Sequence, residues 1–364
     1  MYSETDIEAA VAAGAMTPDA AAALRNYVAN ERSAPSVDEE HFRLITGFND
    51  IFVGIAAAIL LFAVAWIGQS MGPKIGGDGP SPFAGLFVAA TAWGLAEFFT
   101  KKRRMALPSI LLLLAFTAGV AMTAFTTIVL AVGDQVFEEN ERMAALAIAA
   151  SAAIAAGATY LHWRRFRVPI TIAVGAATVV GVIMALIAYA VGDPESKNME
   201  NVLLASALVL GLGVFLFAMR WDSSDPRRET RRSDVAFWLH LLAAPLIVHP
   251  IFSLLGLNDG DATVMEAVVV LLVYLLLGLT ALAVDRRALL VSALAYVLFA
   301  LISLFRQFGA VELNIALAAF VIGSGLLLLS AFWHSVRRSV VQPLPAGLQA
   351  RLPVLDRPAA HAAA

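Results

Sequence analysis

Two histidines and two prolines lie inside one long apolar stretch, residues 231–258. Histidine is the side chain that ordinarily titrates near neutrality, so a proton-coupled step would suit a residue of the type of His240 or His249. Pro245 and Pro250 each remove a backbone N–H from a helix, which leaves a carbonyl without its usual donor and favours a kink. A kinked helix with free carbonyls resembles the irregular helices that line transporter sites. The alternative is that each histidine hydrogen-bonds across a helix interface as part of the packing.

The spacing of the two histidines excludes a shared metal ion. His240 and His249 are nine residues apart, which on a straight helix places them about 13 Å apart along the axis and on opposite faces. The chain contains no cysteine, so thiolate metal sites, disulfides and cysteine nucleophiles are also excluded. We therefore predict no metal and no cofactor.

Other polar residues in the apolar stretches lie close to the ends of those stretches. Glu97 comes four residues before Lys101, which predicts an (i, i+4) ion pair at the membrane surface. Asp50 begins the first apolar stretch, and Asn314 lies near the start of the last one. Glu97, Asp50 and Asn314 rank below the histidines as site candidates, because a polar group is less costly near the membrane surface than at its centre.

Motifs of known catalytic chemistry do not support an enzyme. The sequence contains no HExxH zinc motif and no GxxxxGK phosphate loop. Asp222 and Asp225 form a DSSD pair, but the surrounding arginines oppose cation binding. We therefore predict that this pair is a solvated part of a loop and that the protein is not an enzyme.

The composition indicates an all-α integral membrane protein. With 60% hydrophobic residues, 15% charged residues and a mean hydropathy of +0.79, the chain is far more apolar than a soluble domain, which is about half apolar and a quarter charged. A crossing needs about 20 apolar residues, and hydropathy predicts ten such helices. The predicted spans are 49–69, 83–100, 107–132, 143–162, 168–191, 201–220, 235–257, 264–284, 288–305 and 312–334.

The distribution of charge between the loops supports this count. Of the 25 lysines and arginines, all but Lys74, Arg142, Lys197 and Arg306 fall in the two termini or in loops that follow even-numbered spans. Cytoplasmic loops are rich in these residues. The pattern predicts antiparallel hairpins with both termini in the cytoplasm, and it explains the basic loops without a nucleic-acid partner.

Three regions follow from this topology. Residues 1–46 are a predicted cytoplasmic helical segment, in which Thr17 would cap a helix and Gly14 would end one. Residues 47–336 would form the ten-helix transmembrane domain in the lipid bilayer. Residues 337–364 are rich in proline and alanine, which predicts a disordered cytoplasmic tail.

Two segments resemble a known group of proteins. They are AAGAMTPDAAAALRNYV at 12–28 and RLITGFNDIFVGIAAAILLFAVAWIG at 43–68. Their order is similar to that of uncharacterised bacterial membrane proteins that join a short N-terminal helical segment to an array of spans. The resemblance implies a multi-pass protein of the bacterial inner membrane and no established activity.

Two functions remain after these steps. In the first, the protein is a noncatalytic scaffold, sensor or accessory subunit, with a cytoplasmic protein partner bound through residues 1–46. In the second, it transports a small solute or ion along a pathway at the seventh span, where His240, His249, Pro245 and Pro250 lie. The first is favoured because the other nine spans carry few polar residues at mid-membrane depth.

Overall fold

The computed structural model is built from helices, and its described residues contain no strand. This agrees with the high apolar content of the chain, because a helix satisfies its own backbone hydrogen bonds inside lipid. The structure describes residues 4–31, 48–192, 197–226, 228, 230–254, 264–307 and 313–355. These residues divide into two units, of which the first contains α1 and α2 and the second contains all the other helices.

The helices are numbered here in chain order. The N-terminal unit contains α1 (Glu4–Ala12) and α2 (Pro18–Glu31). The membrane unit contains α3 (Phe48–Gln69), α4 (Pro82–Ala96, continued by a π-helical segment, Glu97–Lys102), α5 (Ala106–Val132), α6 (Asp134–Glu139), α7 (Glu141–Phe166), α8 (Ile170–Val191), α9 (Lys197–Ser223), α10 (Arg231–Leu254), α11 (Val264–Val284), α12 (Ala288–Gln307), α13 (Asn314–Ala331), α14 (Trp333–Val341) and α15 (Ala346–Gln349).

Eight helices of the described chain are long and apolar enough to cross a membrane, which confirms a multi-pass helical protein. They are α3, α4 with its π-helical segment, α5, α7, α8, α9, α10 and α11. The ninth predicted span coincides with α12, whose apolar part, Leu289–Ile302, is shorter than a full crossing. The tenth coincides with α13 and α14, which are bent by 76° relative to each other.

Consecutive helices form hairpins, and the turns at one end share an unusual backbone conformation. The turns after α4, α7, α9 and α11 each contain a residue other than glycine with a positive φ: Arg104 at 53°, Arg167 at 54°, Arg228 at 53° and Asp285 at 60°. A left-handed residue reverses the chain after a helix, at a steric cost for any side chain. We call this end of the membrane unit the basic end, because the predicted cytoplasmic loops lie there.

Helix α10 is the most buried of the eight candidate spans. Of its apolar window 56% is buried, compared with 17–44% for the others. It packs against α8, α9 and α12 and contributes Leu239, Ala244 and Phe252 to three separate core clusters. The helix is continuous from Arg231 to Leu254 through both Pro245 and Pro250, and the kink at these prolines stays a prediction.

A close contact with α9 explains how α10 accommodates its second proline. Pro250 leaves the carbonyl of Leu246 without its helical donor. Gly211 of α9 lies against that carbonyl, and a methyl group added at Gly211 would be 2.9 Å from the Leu246 oxygen and 2.8 Å from its Cβ. Small residues allow helix backbones to approach this closely in lipid. The space left by the missing hydrogen bond is therefore filled by a neighbouring helix.

The chain after α13 is more ordered than predicted. We expected disorder over residues 337–364, but residues 337–355 include most of α14, all of α15 and the buried side chains of Arg337 and Val341. Apolar residues spaced along α14 form one face that packs on the membrane unit, and the proline and alanine content of the segment conceals this pattern. Residues 356–364 lie outside the described part of the chain.

The N-terminal unit contains the helix signals expected from its sequence. The Thr17 hydroxyl accepts a hydrogen bond from the Ala20 N–H at 3.2 Å, as a helix cap does. Gly14 has a φ of +71°, which suits the end of α1. Ala21 is fully buried, whereas Leu24 of α2 is 38% exposed. The remainder of predicted segment 1–46 lies outside the described residues.

The contact between α9 and α10 generates a stability prediction. We expect Gly211→Ala to lower the free energy of unfolding by about 1–3 kcal/mol, because the new methyl group meets the Leu246 main chain. Gly213→Ala is the matched control, since nothing lies within 4 Å of its added methyl group, and alanine favours a helix by up to about 1 kcal/mol. Thermal unfolding of the purified protein in detergent would measure both. Equal melting temperatures for the two variants would contradict this packing.

Candidate functional site

His240 lies on the inner face of α10 and is completely buried. Its Nε2 atom is 2.9 Å from Oδ2 of Asp222, which is also completely buried in the last turn of α9. The ring of Phe215 lies edge-on at 5.2 Å between centroids. An imidazole and a carboxylate therefore meet inside the membrane unit, near its basic end.

Asp222 has a second partner from a distant part of the chain. Arg286, in the turn between α11 and α12, donates from Nη2 to Asp222 Oδ1 at 2.6 Å and from Nε to Asp222 Oδ2 at 3.4 Å. The same Nη2 donates to the Ser233 carbonyl at the start of α10, at 3.1 Å. One buried guanidinium thus joins the end of α9, the start of α10 and the α11–α12 turn, using the planar geometry that lysine lacks.

The preceding residue, Asp285, organises a second set of contacts. Its carboxylate accepts from Arg228 Nη1 at 2.9 Å and from Trp333 Nε1 at 2.7 Å, and it lies 3.7 Å from Arg337 Nε. Arg228 Nη2 also donates to the Asp285 carbonyl at 3.0 Å. We call the six buried groups at this end the charge cluster: Asp222, Arg228, His240, Asp285, Arg286 and Arg337.

Arg337 connects the charge cluster to the end of the described chain. It donates to the carbonyls of Leu282 at 3.2 Å, Pro353 at 2.6 Å and Val354 at 3.2 Å. The Val354 N–H donates to the Pro226 carbonyl at 3.3 Å, in the loop between α9 and α10. Residues 342–355, which we call the C-terminal strap, are therefore fastened across the basic end.

The electrostatics of the loop residues follow from these contacts. Burial by itself would raise the pKa of Asp285, but the charges of Arg228 and Arg337 and the Trp333 hydrogen bond outweigh it and lower that pKa below its ordinary value. Burial, together with repulsion from Arg286, lowers the pKa of Arg228 to about 10, and Asp285 opposes that shift. Both groups are charged at neutral pH.

The prediction that Asp222 and Asp225 are solvated is wrong. Their exposed fractions are 1% and 8%, and Asp225 Oδ2 accepts from the Thr230 N–H at 2.9 Å and the Thr230 hydroxyl at 2.7 Å. Asp222 is neutralised by buried Arg286 from a distant turn, whereas the sequence argument considered the neighbouring loop arginines, of which Arg220, Arg231 and Arg232 are exposed. The sequence contained a signal for this, because two carboxylates in a loop that is otherwise rich in arginine suggest a structural pairing.

The four principal candidates do not form one site. His249 is exposed on α10, and its Nδ1 atom lies 2.6 Å from the Tyr296 hydroxyl of α12. His240 and His249 therefore occupy opposite environments, as their spacing predicts. Pro245 is exposed and Pro250 is buried, which also places them on different faces. Of the four, His240 is the one that belongs to the charge cluster.

The lower-ranked candidates lie near helix ends. Glu97 is 3.9 Å from Lys101 Nζ, as predicted, but its closer partner is Arg165 of α7, whose guanidinium donates to the two carboxylate oxygens at 2.6 and 2.8 Å. Asp50 is buried in the first turn of α3. Asn314 is the first residue of α13, and its side chain lies outside the described part of the structure.

A buried histidine in the first half of the membrane unit was not predicted. His162 of α7 is 1% exposed and is surrounded by Trp93, Phe116 and Phe166, at 6.0, 5.7 and 4.5 Å between ring centroids. Its Nδ1 atom has no hydrogen-bond partner among the described residues. Sequence spacing does not distinguish this position from a lipid-facing one, because the surrounding rings come from three different helices.

One sequence pattern that suggests catalysis occurs in the wrong structural context. Residues 68–72, GQSMG, fit the GxSxG pattern of serine hydrolases, which requires a sharp strand-to-helix turn. Here Ser70 follows the membrane helix α3, and its hydroxyl donates to the Ile67 carbonyl at 2.7 Å. Gly68 packs against the main chain of Phe83. This serine is therefore part of a helix end.

Comparison with known proteins adds no template for the cluster. No protein-family model, curated protein or solved structure matches this chain. Within the described ranges, no group of three or more histidine or acidic side chains is arranged to hold a metal ion. The described residues of the charge cluster provide ion pairs, hydrogen bonds and the imidazole of His240.

The charge cluster generates a prediction for Asp285. We expect Asp285→Asn to lower the free energy of unfolding by about 3–5 kcal/mol, because Arg228 loses its buried counter-charge. Since the pKa of Asp285 is lowered in the folded state, its contribution is present above the ordinary value of 3.8 and is lost as the pH falls through the lower folded value. Unfolding measured from pH 7 to pH 3 would show this.

The control is Asp78→Asn, at an exposed position in the loop between α3 and α4. This variant should match the unchanged protein within about 0.5 kcal/mol at each pH. An Asp285→Asn protein as stable as the control at neutral pH would show that the cluster does not hold the fold together.

Proposed function

We propose that this chain is a noncatalytic multi-pass membrane protein that acts as a scaffold, sensor or accessory subunit. The observation that carries the proposal is the charge cluster. Asp222 pairs with Arg286, and Asp285 pairs with Arg228 and Arg337, which ties the α9–α10 loop and the α11–α12 turn to the C-terminal strap. Groups committed in this way hold a structure together and are poorly placed to turn over a substrate.

The positions of two cavities also support this proposal. One, of about 430 Å³, lies at the basic end between the α9–α10 loop and the C-terminal strap. The other, of about 330 Å³, lies at the end of the membrane unit away from the basic end, where α3 and α5 terminate. It is lined by residues 74–77, 129, 130, 133 and 134. Neither cavity is lined by α10, where the predicted transport pathway would run.

The same proposal includes the complete topology. Ten crossings would place both termini in the cytoplasm, with α12 as the ninth span and α13 as the tenth. The clustering of arginine at one end supports this orientation. The resemblance of the N-terminal segments to bacterial membrane proteins supports a location in the bacterial inner membrane.

Labelling of single cysteines would test this orientation, because the chain contains no native cysteine. Ser224→Cys and Asp78→Cys are matched exposed positions at opposite ends of the membrane unit. In intact spheroplasts, a membrane-impermeant maleimide should label Asp78→Cys and leave Ser224→Cys unlabelled until the membrane is opened. The reverse order would overturn the proposed orientation.

A protein partner is expected at the N-terminal unit, since α1 and α2 form a unit of their own. We expect a cytoplasmic protein that co-purifies with the full chain to be lost when residues 1–46 are deleted. In the full chain, Leu24→Ser should weaken its capture by about tenfold, because Leu24 is an exposed apolar side chain. Ala23→Ser is the matched exposed control. Unchanged capture after the deletion would count against this partner surface.

Transport of a small solute or ion is the alternative, and one observation favours it. His240 and Asp222 are two ionisable groups with no exposure inside candidate spans, and such pairs mark proton pathways in many membrane proteins. In that case the pathway would start at the basic end and would require α10 to separate from α9. A flux that depends on His240 would identify this function.

A further inference from the structure

We propose that His240 is a proton-binding site whose occupancy releases the C-terminal strap. This inference rests on the proposed noncatalytic function, and it gives the sensor a signal and a moving part. The signal is a proton taken up at the imidazole. The moving part is the segment 342–355, which the charge cluster fastens through Arg337.

We call the structure with the C-terminal strap fastened the closed state. The hydrogen-bond pattern determines the protonation state of His240 in it. Asp222 accepts bonds from Arg286 at both oxygens, so it is ionised and acts as an acceptor. The hydrogen between Asp222 and His240 must then lie on Nε2 of the imidazole. The other nitrogen, Nδ1, is buried and has no hydrogen-bond partner among the described residues. A neutral ring tolerates this arrangement, whereas a protonated ring would bury an N–H donor without an acceptor.

Two of the charges that face His240 oppose a proton on it in the closed state, namely Arg286 from the α11–α12 turn and Arg228 from the α9–α10 loop, whereas the carboxylate of Asp222 from α9 favours one. Within the whole cluster, three arginines face the two carboxylates Asp222 and Asp285. A proton on His240 adds positive charge on the same side as Arg286 and Arg228, in surroundings with little water to screen their repulsion.

The contact that yields is the one between Asp222 and Arg286. Asp222 Oδ2 is shared between His240 Nε2 at 2.9 Å and Arg286 Nε at 3.4 Å. A positive imidazole attracts this oxygen and repels the guanidinium. Arg286 follows Asp285, which has a φ of +60° and keeps that conformation because its neighbours hold it. A displaced Arg286 therefore releases the turn.

The turn controls the strap through one residue. The Asp285 carboxylate lies 3.7 Å from Nε of Arg337 in α14 and accepts a hydrogen bond from Trp333 in the same helix, α14. Arg337 in turn donates hydrogen bonds to the carbonyls of Pro353 and Val354 in the strap. Once Asp285 moves, Arg337 loses its counter-charge, and the hydrogen bond from the Val354 N–H to the Pro226 carbonyl then joins the strap to the α9–α10 loop without that support. A cavity of about 430 Å³ lies between the strap and the α9–α10 loop.

The experiment measures one distance in the full chain reconstituted in lipid nanodiscs. Spin labels on Ser223→Cys and Arg351→Cys, both at exposed positions on either side of the cavity, report the strap by double electron–electron resonance. Between pH 8 and pH 5 we expect a longer distance to appear. The ratio of long to short distances should rise by at most about tenfold per pH unit, the limit for one linked proton.

Variants identify the proton site. His240→Gln keeps a donor for Asp222, and His240→Phe keeps the ring, but neither binds a proton, so both should give a ratio that does not change with pH. His249→Gln, on the exposed face of α10, should behave as the unchanged protein. Arg337→Gln should give the long distance at both pH values. A ratio in the unchanged protein that is constant with pH would overturn the inference, as would a full response in both His240 variants.

Proton flux in proteoliposomes separates this inference from the function on which it rests. Flux that is lost in His240→Gln would overturn the noncatalytic proposal, whatever the strap does. A strap that does not respond to pH, in a protein without flux, would overturn the inference and leave the noncatalytic proposal standing.

Discussion

The turn between α11 and α12 is the constraint on which the second half of the membrane unit depends. Asp285 and Arg286 are adjacent in sequence and opposite in charge, and their side chains contact different sets of residues. Asp285 holds Arg228, Trp333 and Arg337, whereas Arg286 holds Asp222 and the start of α10. Removal of Asp285 takes the carboxylate from buried Arg228 and Arg337, and removal of Arg286 takes the guanidinium from buried Asp222. Loss of one partner of a buried ion pair typically costs about 3–5 kcal/mol.

The value of such a cluster lies more in arrangement than in net stability. Buried ion pairs are often no more stable than apolar residues of equal volume. In lipid, however, apolar helix faces distinguish poorly between partners, because the acyl chains are equally apolar. Ion pairs between particular turns select which hairpins meet. Close contacts then fix the helices at depth, as where Gly211 receives the Leu246 carbonyl and where Gly85 and Gly119 approach each other's main chain.

Local features of the sequence were predictable, and contacts between distant residues were not. Composition and hydropathy placed the helices, Thr17 and Gly14 marked helix ends, and helical periodicity placed His240 and His249 on opposite faces. The pairing of Asp222 with Arg286 spans 64 residues, and no local pattern encodes it. The loop arginines were also explained by topology, which concealed their second role. Apart from Lys197, every basic residue after Lys102 is arginine, the side chain suited to buried carboxylates.

A comparison of the two buried histidines shows why the environment of a residue matters more than its type. His162 and His240 are equally buried, and each has an Nδ1 atom without a partner among the described residues. His162 is surrounded by aromatic rings, and within the described part of the chain no charged group faces it. His240 touches Asp222, and through it the α11–α12 turn and the strap. A change of charge at His162 would remain local. The same change at His240 reaches the end of α9, the α11–α12 turn, α14 and the C-terminal strap, because Asp222, Arg286, Asp285 and Arg337 join these elements.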